Sequence, residues 1–286
     1  MPRLLVTGAS GMTGSEVARR APVRGWEVLG LTHGDLDISD AGAVDQALGD
    51  YQPDIVINAA AYTAVDRAES EPERAATTNA LGAGNVSRST ASIGAGIIHV
   101  STDYVFDGEA ETPYAPDELV GPQSVYGRTK LAGEVVVQES NEDHCIVRTS
   151  WVFSSTGNNF VLTMLRLAKE RDEIRVVNDQ RGRPTYAGDL ADALLIAAAR
   201  LLESREARGI YHFANAGETT WFEFARAIFQ LRSESSPRLI PISSSEYPTA
   251  AARPRYSVLD TTAFTERFGV QPRPWREPLR EVLSEL

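Results

Sequence analysis

The sequence predicts an α/β protein: a doubly wound parallel sheet with a small, interleaved C-terminal region. Three observations carry this expectation. A short apolar run at residues 3–7 leads directly into a glycine turn, Gly8-Ala9-Ser10-Gly11-Met12-Thr13-Gly14. Apolar strand-like runs then alternate with helical stretches as far as Thr149, which is the rhythm of a parallel sheet with helical crossovers. Beyond Trp151 that rhythm loosens and prolines accumulate towards the C-terminus.

Taken in order, the first element is a strand, a glycine turn and then a helix. Glycines let the backbone turn sharply and approach a pyrophosphate, and the helix N-terminus supplies free N–H donors. This reads as the phosphate site of a Rossmann-type, dinucleotide-binding sheet. The second strand, 26–31, ends at Thr32-His33. NAD-specific folds carry a carboxylate here, roughly 20 residues after the glycines. With no acid to repel a 2′-phosphate, NADPH is favoured. NADH stays open, because no arginine stands there and Asp35 lies nearby. Asp37-Ile38 opens a loop suited to the adenine edge, and a helix follows at 40–49.

A third strand, 55–57, runs into Asn58-Ala59-Ala60-Ala61-Tyr62-Thr63. Small residues at a strand's carboxyl end let a flat ligand lie against the backbone, although helix packing accounts for the alanines equally well. Helices at 71–77 and 79–92 lead to a fourth strand, 96–101, which delivers Thr102-Asp103-Tyr104. Pro113, Pro116, Gly121 and Pro122 mark the next stretch as a loop. A helix at 124–139 then places Tyr126 and Lys130 one turn apart on one face, where an ammonium can bring a phenol towards a neutral working range. The fifth strand, 144–149, ends at Ser150-Trp151-Val152-Phe153. In a parallel sheet these strand ends share one edge, so the glycine turn, Thr102 and Trp151 converge on one crevice.

Composition narrows the functional classes. The 286 residues carry 28 Lys and Arg against 39 Asp and Glu, a net charge of -11, with no basic cluster for nucleic acid. No apolar run approaches the ~18 residues of a membrane span, and no secretory leader is apparent at the N-terminus. The single cysteine, Cys145, lies in the apolar run Cys145-Ile146-Val147 and reads as a core thiol. Its solitude suits a reducing, cytoplasmic setting. His33, His99, His144 and His212 show no metal-ligand spacing and read as structural, and no pair of acidic residues commits the chain to a metal site, so no metal ligand is assigned and divalent-metal binding stays open. Trp221 and Trp275 read as core residues.

Thr-Gly-Ala-Ser-Gly-Met-Thr-Gly at 7–14, Asn-Ala-Ala-Ala at 58–61, Ser-Thr-Asp-Tyr-Val-Phe-Asp-Gly at 101–108 and Tyr-x-x-x-Lys at 126–130 resemble the extended short-chain dehydrogenase/reductase superfamily. Within it, Thr63-Ala64-Val65-Asp66, Arg148-Thr149-Ser150-Trp151-Val152-Phe153, Gly157-Asn158-Asn159-Phe160 and Gly182-Arg183-Pro184-Thr185 resemble the dTDP-4-dehydrorhamnose reductases. The resemblance implies that Tyr126 is the proton donor, that Lys130 lowers its pKa and holds the nicotinamide ribose, and that Thr102 binds the reacting oxygen. It further implies cofactor contacts at Gly8, Gly11, Met12, Thr13, Asp37, Ile38, Ala61, Tyr62 and Thr63. Substrate contacts would fall at Val65, Thr102, Asp103, Tyr104, Trp151 and Asn159. The implied reaction is NAD(P)H-dependent reduction of a 4-keto dTDP-sugar. A cofactor-retaining epimerase or dehydratase is the alternative enzyme, and a non-catalytic subunit resembling the methionine adenosyltransferase partner is the alternative outside catalysis. Tyr104, where dehydratases of the superfamily tend to carry glutamate, favours reduction.

The expected division is a dinucleotide-binding domain at 1–151 and a substrate-binding region at 152–286, with 186–205 packing back on the first. In the second region, helices are expected at 159–170, 189–202 and 220–231, and strands at 174–177 and 210–213. Arg181 and Arg183 are candidates for meeting a diphosphate or for surface ion pairing. A small-molecule nucleotide sugar is the expected partner, a homodimer is open, and neither nucleic acid nor membrane is expected.

Overall fold

A computed structural model of the chain describes residues 1–232 and 237–286. Its centre is a six-stranded parallel sheet. The strands β1 (Arg3–Thr7), β2 (Glu27–Leu31), β3 (Ile55–Asn58), β4 (Gly96–Thr102) and β5 (His144–Thr149) lie in the order β2-β1-β3-β4-β5, and a sixth strand, Gly209–His212, pairs beyond β5. The order changes direction between β1 and β3, so the switch-point crevice opens at Thr7 and Asn58.

The interior strands are apolar along their length because both faces are covered. Alternate residues serve opposite faces. Leu4, Val6, Ile55, Ile57, Ile98, Cys145 and Val147 pack with Val17 of α1 (Met12–Arg20) and with the long helix Ala187–Glu203. Leu5, Val56, Ile97 and Ile146 face the other way, against Val44 and Leu48 of α2 (Ala41–Tyr51), Val86 and Val137. Cys145 is buried, and burial pushes its thiol up, which makes it an inert core residue.

The expected break between helices at 77 and 79 takes a different form. The segment from Pro72–Ala76 to Ala83–Ser92 continues through a π-helical stretch, Thr77–Gly82. Asn79 within it holds the Tyr62 backbone: its Oδ1 accepts from Tyr62 N at 2.8 Å and its Nδ2 donates to Tyr62 O at 3.1 Å. A π-bulge here re-aims one side chain at the loop after β3, a positional use that such bulges commonly have near sites.

The C-terminal region has its own core, in which Phe153, Val161, Met164, Ile174, Phe224, Ile228, Trp275 and Leu279 are buried together. A parallel pair, Glu173–Val177 with Arg238–Ile242, and the helices Phe160–Glu170 and Trp221–Arg232 surround it. The helix Ala187–Glu203 and the sixth strand return to the main sheet, so the two cores are interleaved along the chain. No helix among the described residues is long and apolar enough to cross a membrane.

Candidate active site

The carboxyl edge of the sheet opens into a cleft of about 520 Å³. At one end lies the glycine turn. Gly11 caps α1 without a side-chain bond, and the first turn holds no acidic residue, so the helix N–H groups remain available to a phosphate. A Cβ on Gly14 would fall 2.2 Å from Gly8 O, which shows how tightly the helix seats on the turn. These features fit a dinucleotide pyrophosphate.

The neighbouring wall comes from the β2 and β3 ends. His33, Leu36, Asp37 and Ile38 line the cleft, as do Ala59, Ala60, Ala61 and Thr63. Asp35 folds back on its own turn, accepting from Thr32 N at 2.9 Å and Thr32 Oγ1 at 2.7 Å, while His33 faces the cleft.

At the other end, Ser124 caps the helix Val125–Ser140 by accepting from Gly127 N at 3.1 Å. A Cβ on Gly127 would fall 2.2 Å from Tyr104 O, so only glycine lets this helix come so close to the β4 end. That approach sets Tyr126 beside Thr102 and Tyr104; the Tyr104 and Tyr126 rings meet edge-on with centroids 5.5 Å apart. Thr102 Oγ1 accepts from Tyr104 N at 3.2 Å and donates to Asp103 Oδ1 at 3.0 Å. Tyr126, Lys130 and Glu134 follow one another on successive turns of one helix face.

Electrostatics at this end differ from the simple sequence expectation. Burial pushes the Tyr126 hydroxyl up, a hydrogen bond with Thr102 opposes this, and Asp103 and Tyr104 reinforce it. Burial also lowers Lys130 to about 8, with Glu134 pulling the other way. Lys130 Nζ is spent on Val100 O at 2.7 Å and approaches His99 Nε2 at 3.4 Å. Burial thus opposes the expected drawing-down of the phenol and sets Lys130 itself below the usual lysine range.

Asp103 is raised to about 6, chiefly by burial, against hydrogen bonds from Ser257, Thr102 and nearby backbone. A raised carboxyl has a definite sign. Between its ordinary value near 4 and its folded value near 6 the native state holds the proton that the unfolded chain releases, so stability falls as pH rises through that window. Asp103→Asn removes this dependence. The variant's stability minus that of the unsubstituted protein, from urea unfolding at pH 4 to 7, is expected to grow with pH by on the order of 2 kcal/mol. A pH-independent difference would contradict the assignment.

Most of the sequence-predicted residues line this one cleft: Gly8, Gly11, Met12, Thr13, Asp37, Ile38, Ala61, Thr63, Val65, Thr102, Asp103, Tyr104, Tyr126, Lys130 and Trp151. Two lie outside its lining. Tyr62 turns away, with its hydroxyl donating to Glu71 at 3.0 Å and its ring under Arg74. Asn159 caps the helix Phe160–Glu170, with Nδ2 bonded to Ser154 O and Thr156 O at 3.0 Å each; its neighbour Asn158 lines the cleft instead. One further expectation is revised. His33 and His99 belong to the site rather than to structure alone, because one faces the cleft and the other meets Lys130. Trp221 packs against the C-terminal core as expected, with its ring 3.5 Å from that of Trp151 and 10° from parallel. Of the two roles open to Arg181, the structure shows the surface ion pair, with Glu218 at 2.9 Å, and neither Arg181 nor Arg183 lines the cleft.

Thr78, Ser101, Thr149 and Ser150 also line the cleft and were not singled out from sequence. Thr149 Oγ1 is buried without a hydrogen-bond partner, beside the cleft that the residue lines. The parallel register that sets Thr149 against Thr102 was the one signal able to find it. Trp151 itself has φ 48, a left-handed backbone uncommon for a bulky residue and a mark of a constrained site.

Comparison with known proteins agrees with this geometry. The profile of the family described as RmlD substrate binding domain matches residues 2–286. The chain belongs to that family. It is 43% identical over 285 residues to the spore coat polysaccharide biosynthesis protein SpsK of Bacillus subtilis, covering 100% of this chain and 98% of that one. It is 44% identical over 285 residues to the dTDP-4-dehydrorhamnose reductase of Mycolicibacterium smegmatis, covering 99% and 85% respectively. The crystal structure of dTDP-4-dehydrorhamnose reductase from Bacillus anthracis in complex with NADP superposes with a TM-score of 0.94 at 38% identity, covering 100% of both chains. Membership thus spans both cores of the family fold.

Proposed function

We propose that the protein reduces the 4-keto group of dTDP-4-dehydro-L-rhamnose, with NADPH as reductant, to give dTDP-L-rhamnose. The observation that carries this reading is the placing of Tyr126 against Thr102 in the same cleft as an uncapped glycine turn. Full-length identity to reductases of that name supports the substrate. The NADP in the Bacillus anthracis relative supports the cofactor, as does the Thr32–Asp35 turn, which ties up its only carboxylate and presents His33.

When bound, the reduced nicotinamide supplies the hydride. This chain's residues do the rest. The Thr102 hydroxyl holds the substrate oxygen, and Tyr126 donates its proton to that oxygen as negative charge grows there. The bonding is stronger in the transition state than to the ketone, which is what lowers a barrier. Lys130 then returns a proton to the phenolate, and solvent restores Lys130. Asp103, Tyr104, Val65 and Trp151 form the sugar-nucleotide side, with residues 152–286 as the substrate-binding region, from which 186–205 packs back on the dinucleotide-binding domain 1–151. Tyr104 offers no carboxylate for elimination, which fits simple reduction.

Incubation with dTDP-4-dehydro-L-rhamnose is expected to consume NADPH in equimolar amount and to yield dTDP-L-rhamnose. No loss of NADPH or NADH absorbance with this substrate would overturn the reading.

A further inference from the structure

A row of buried polar side chains crosses the apolar sheet at its carboxyl edge. Thr7, Asn58 and His99 stand in register on β1, β3 and β4, each at most 1% exposed. Polar groups this deep are kept only when they are hydrogen-bonded, and here the bonding has a direction. Thr7 Oγ1 donates to Asn58 Oδ1 at 2.7 Å, and Ala60 N donates to the same oxygen at 3.3 Å. The amide is thereby oriented: a flipped Asn58 would set its NH₂ against the Ala60 N–H. Asn58 Nδ2 consequently faces His99 Nδ1, at 3.2 Å.

An amide nitrogen only donates, so His99 Nδ1 must accept. The ring is buried and held well below its ordinary range, first by desolvation and then by Lys130, so it carries a single proton. That proton sits on Nε2. Nε2 in turn faces Lys130 Nζ at 3.4 Å. Against an ammonium this is donor facing donor; against a free amine it is a hydrogen bond. We propose that His99, locked as the Nε2–H tautomer by Asn58 and Thr7, is a positioning residue that biases Lys130 towards the neutral amine. The inference rests on the reductase reading only for its purpose, which is to let Lys130 release and regain a proton readily during turnover.

The other groups around Lys130 are accounted for. Glu134, on its own helix, favours the ammonium, but Arg148 of β5 pairs with Glu134 at 2.7 Å. Tyr126 lies one turn back, and Asp103 and Tyr104 follow β4. The π-helical stretch Thr77–Gly82 carries no titratable residue. Asp66, Arg67, Glu73, Arg74 and Arg88 on adjoining helices are exposed and screened by solvent, whereas Glu69 and Glu71 are half-buried, Glu69 accepting from Val125 N of the Lys130 helix at 2.7 Å and Glu71 pairing with Arg67 and Arg74.

The chain has two lysines, Lys130 and the exposed Lys169, so a protein labelled with ¹³C at lysine Cε gives two signals with an internal reference. In the unsubstituted protein, Lys130 is expected to titrate below the ordinary lysine range, at about 8, and ¹⁵N imidazole spectra are expected to show His99 protonated at Nε2. In His99→Phe the Lys130 midpoint is expected to rise by about half a unit to one unit, the scale of one hydrogen-bond preference, while Lys169 stays put. An Nδ1–H tautomer, or an unmoved Lys130 midpoint in a folded His99→Phe, would overturn the proposal. The tautomer measurement needs no variant, so it decides the matter even if His99→Phe fails to fold. None of these readouts uses turnover, so failure of the reductase assay leaves the test standing.

Discussion

Tyr126→Phe is expected to lower kcat by about 10²–10⁴-fold while leaving KM within a few-fold of its original value, the scale of losing a positioned general acid. The reasoning is local. The ring is retained, so its edge contact with Tyr104 and the helix packing around Gly127 remain. What disappears is the proton that burial holds on the phenol. That proton is needed only as the substrate oxygen gains charge, so the loss falls on turnover rather than on binding. Steady-state kinetics with NADPH and the 4-keto sugar nucleotide provide the check. Near-normal kcat would remove Tyr126 from the proposed role, and a loss confined to KM would mark it as a binding residue.

Glu134→Gln is expected to cost about 3–5 kcal/mol of folding stability, the usual cost of leaving one member of a buried ion pair uncompensated. Glu134 and Arg148 have side chains only 0% and 3% exposed. Glu134 Oε1 accepts from Ser101 Oγ at 2.5 Å and from Arg148 Nε at 2.9 Å, and Oε2 accepts from Arg148 Nη2 at 2.7 Å. Arg148 Nη1 also donates to Pro116 O at 3.1 Å and lies near His212, whose ring burial holds low, at about 3. This network ties the Tyr126 helix to β4, β5 and the proline-rich loop. The pair is not itself a large net gain, since both charges give up hydration. The double variant Glu134→Met with Arg148→Leu is accordingly expected to recover much of the loss, because it leaves no orphaned charge. Urea unfolding of the two variants tests this; a single substitution costing under about 1 kcal/mol would show the carboxylate to be dispensable.

The parts of the fold read most directly from sequence were those set by local chemistry. Continuous apolar runs gave strands covered on both faces, and Asp40, Ser124 and Asn159 were found at or beside the helix starts they cap. Element ends moved by a residue or two, as with the second strand, expected at 26–31 and observed at Glu27–Leu31. Asn159 shows where such reading falters. The same residue type serves as cap or ligand, and only its bonds to Ser154 and Thr156 tell the two apart. Tyr62 is a similar case, drawn off the cleft by Glu71.

The sequence by itself determined the α/β class, the glycine turn, and the helical spacing that puts Tyr126 and Lys130 on one face, because each depends on residues within a turn or two of one another. The tertiary structure alone decided the contacts between distant strands and helices: the row Thr7–Asn58–His99 leading to Lys130, the Trp151–Trp221 stack, and the Glu134–Arg148 pair. The physical reason is that burial and register, which no local pattern encodes, decide which polar groups lose water together, and burial is the first cause that raises Tyr126 and Asp103 and lowers Lys130.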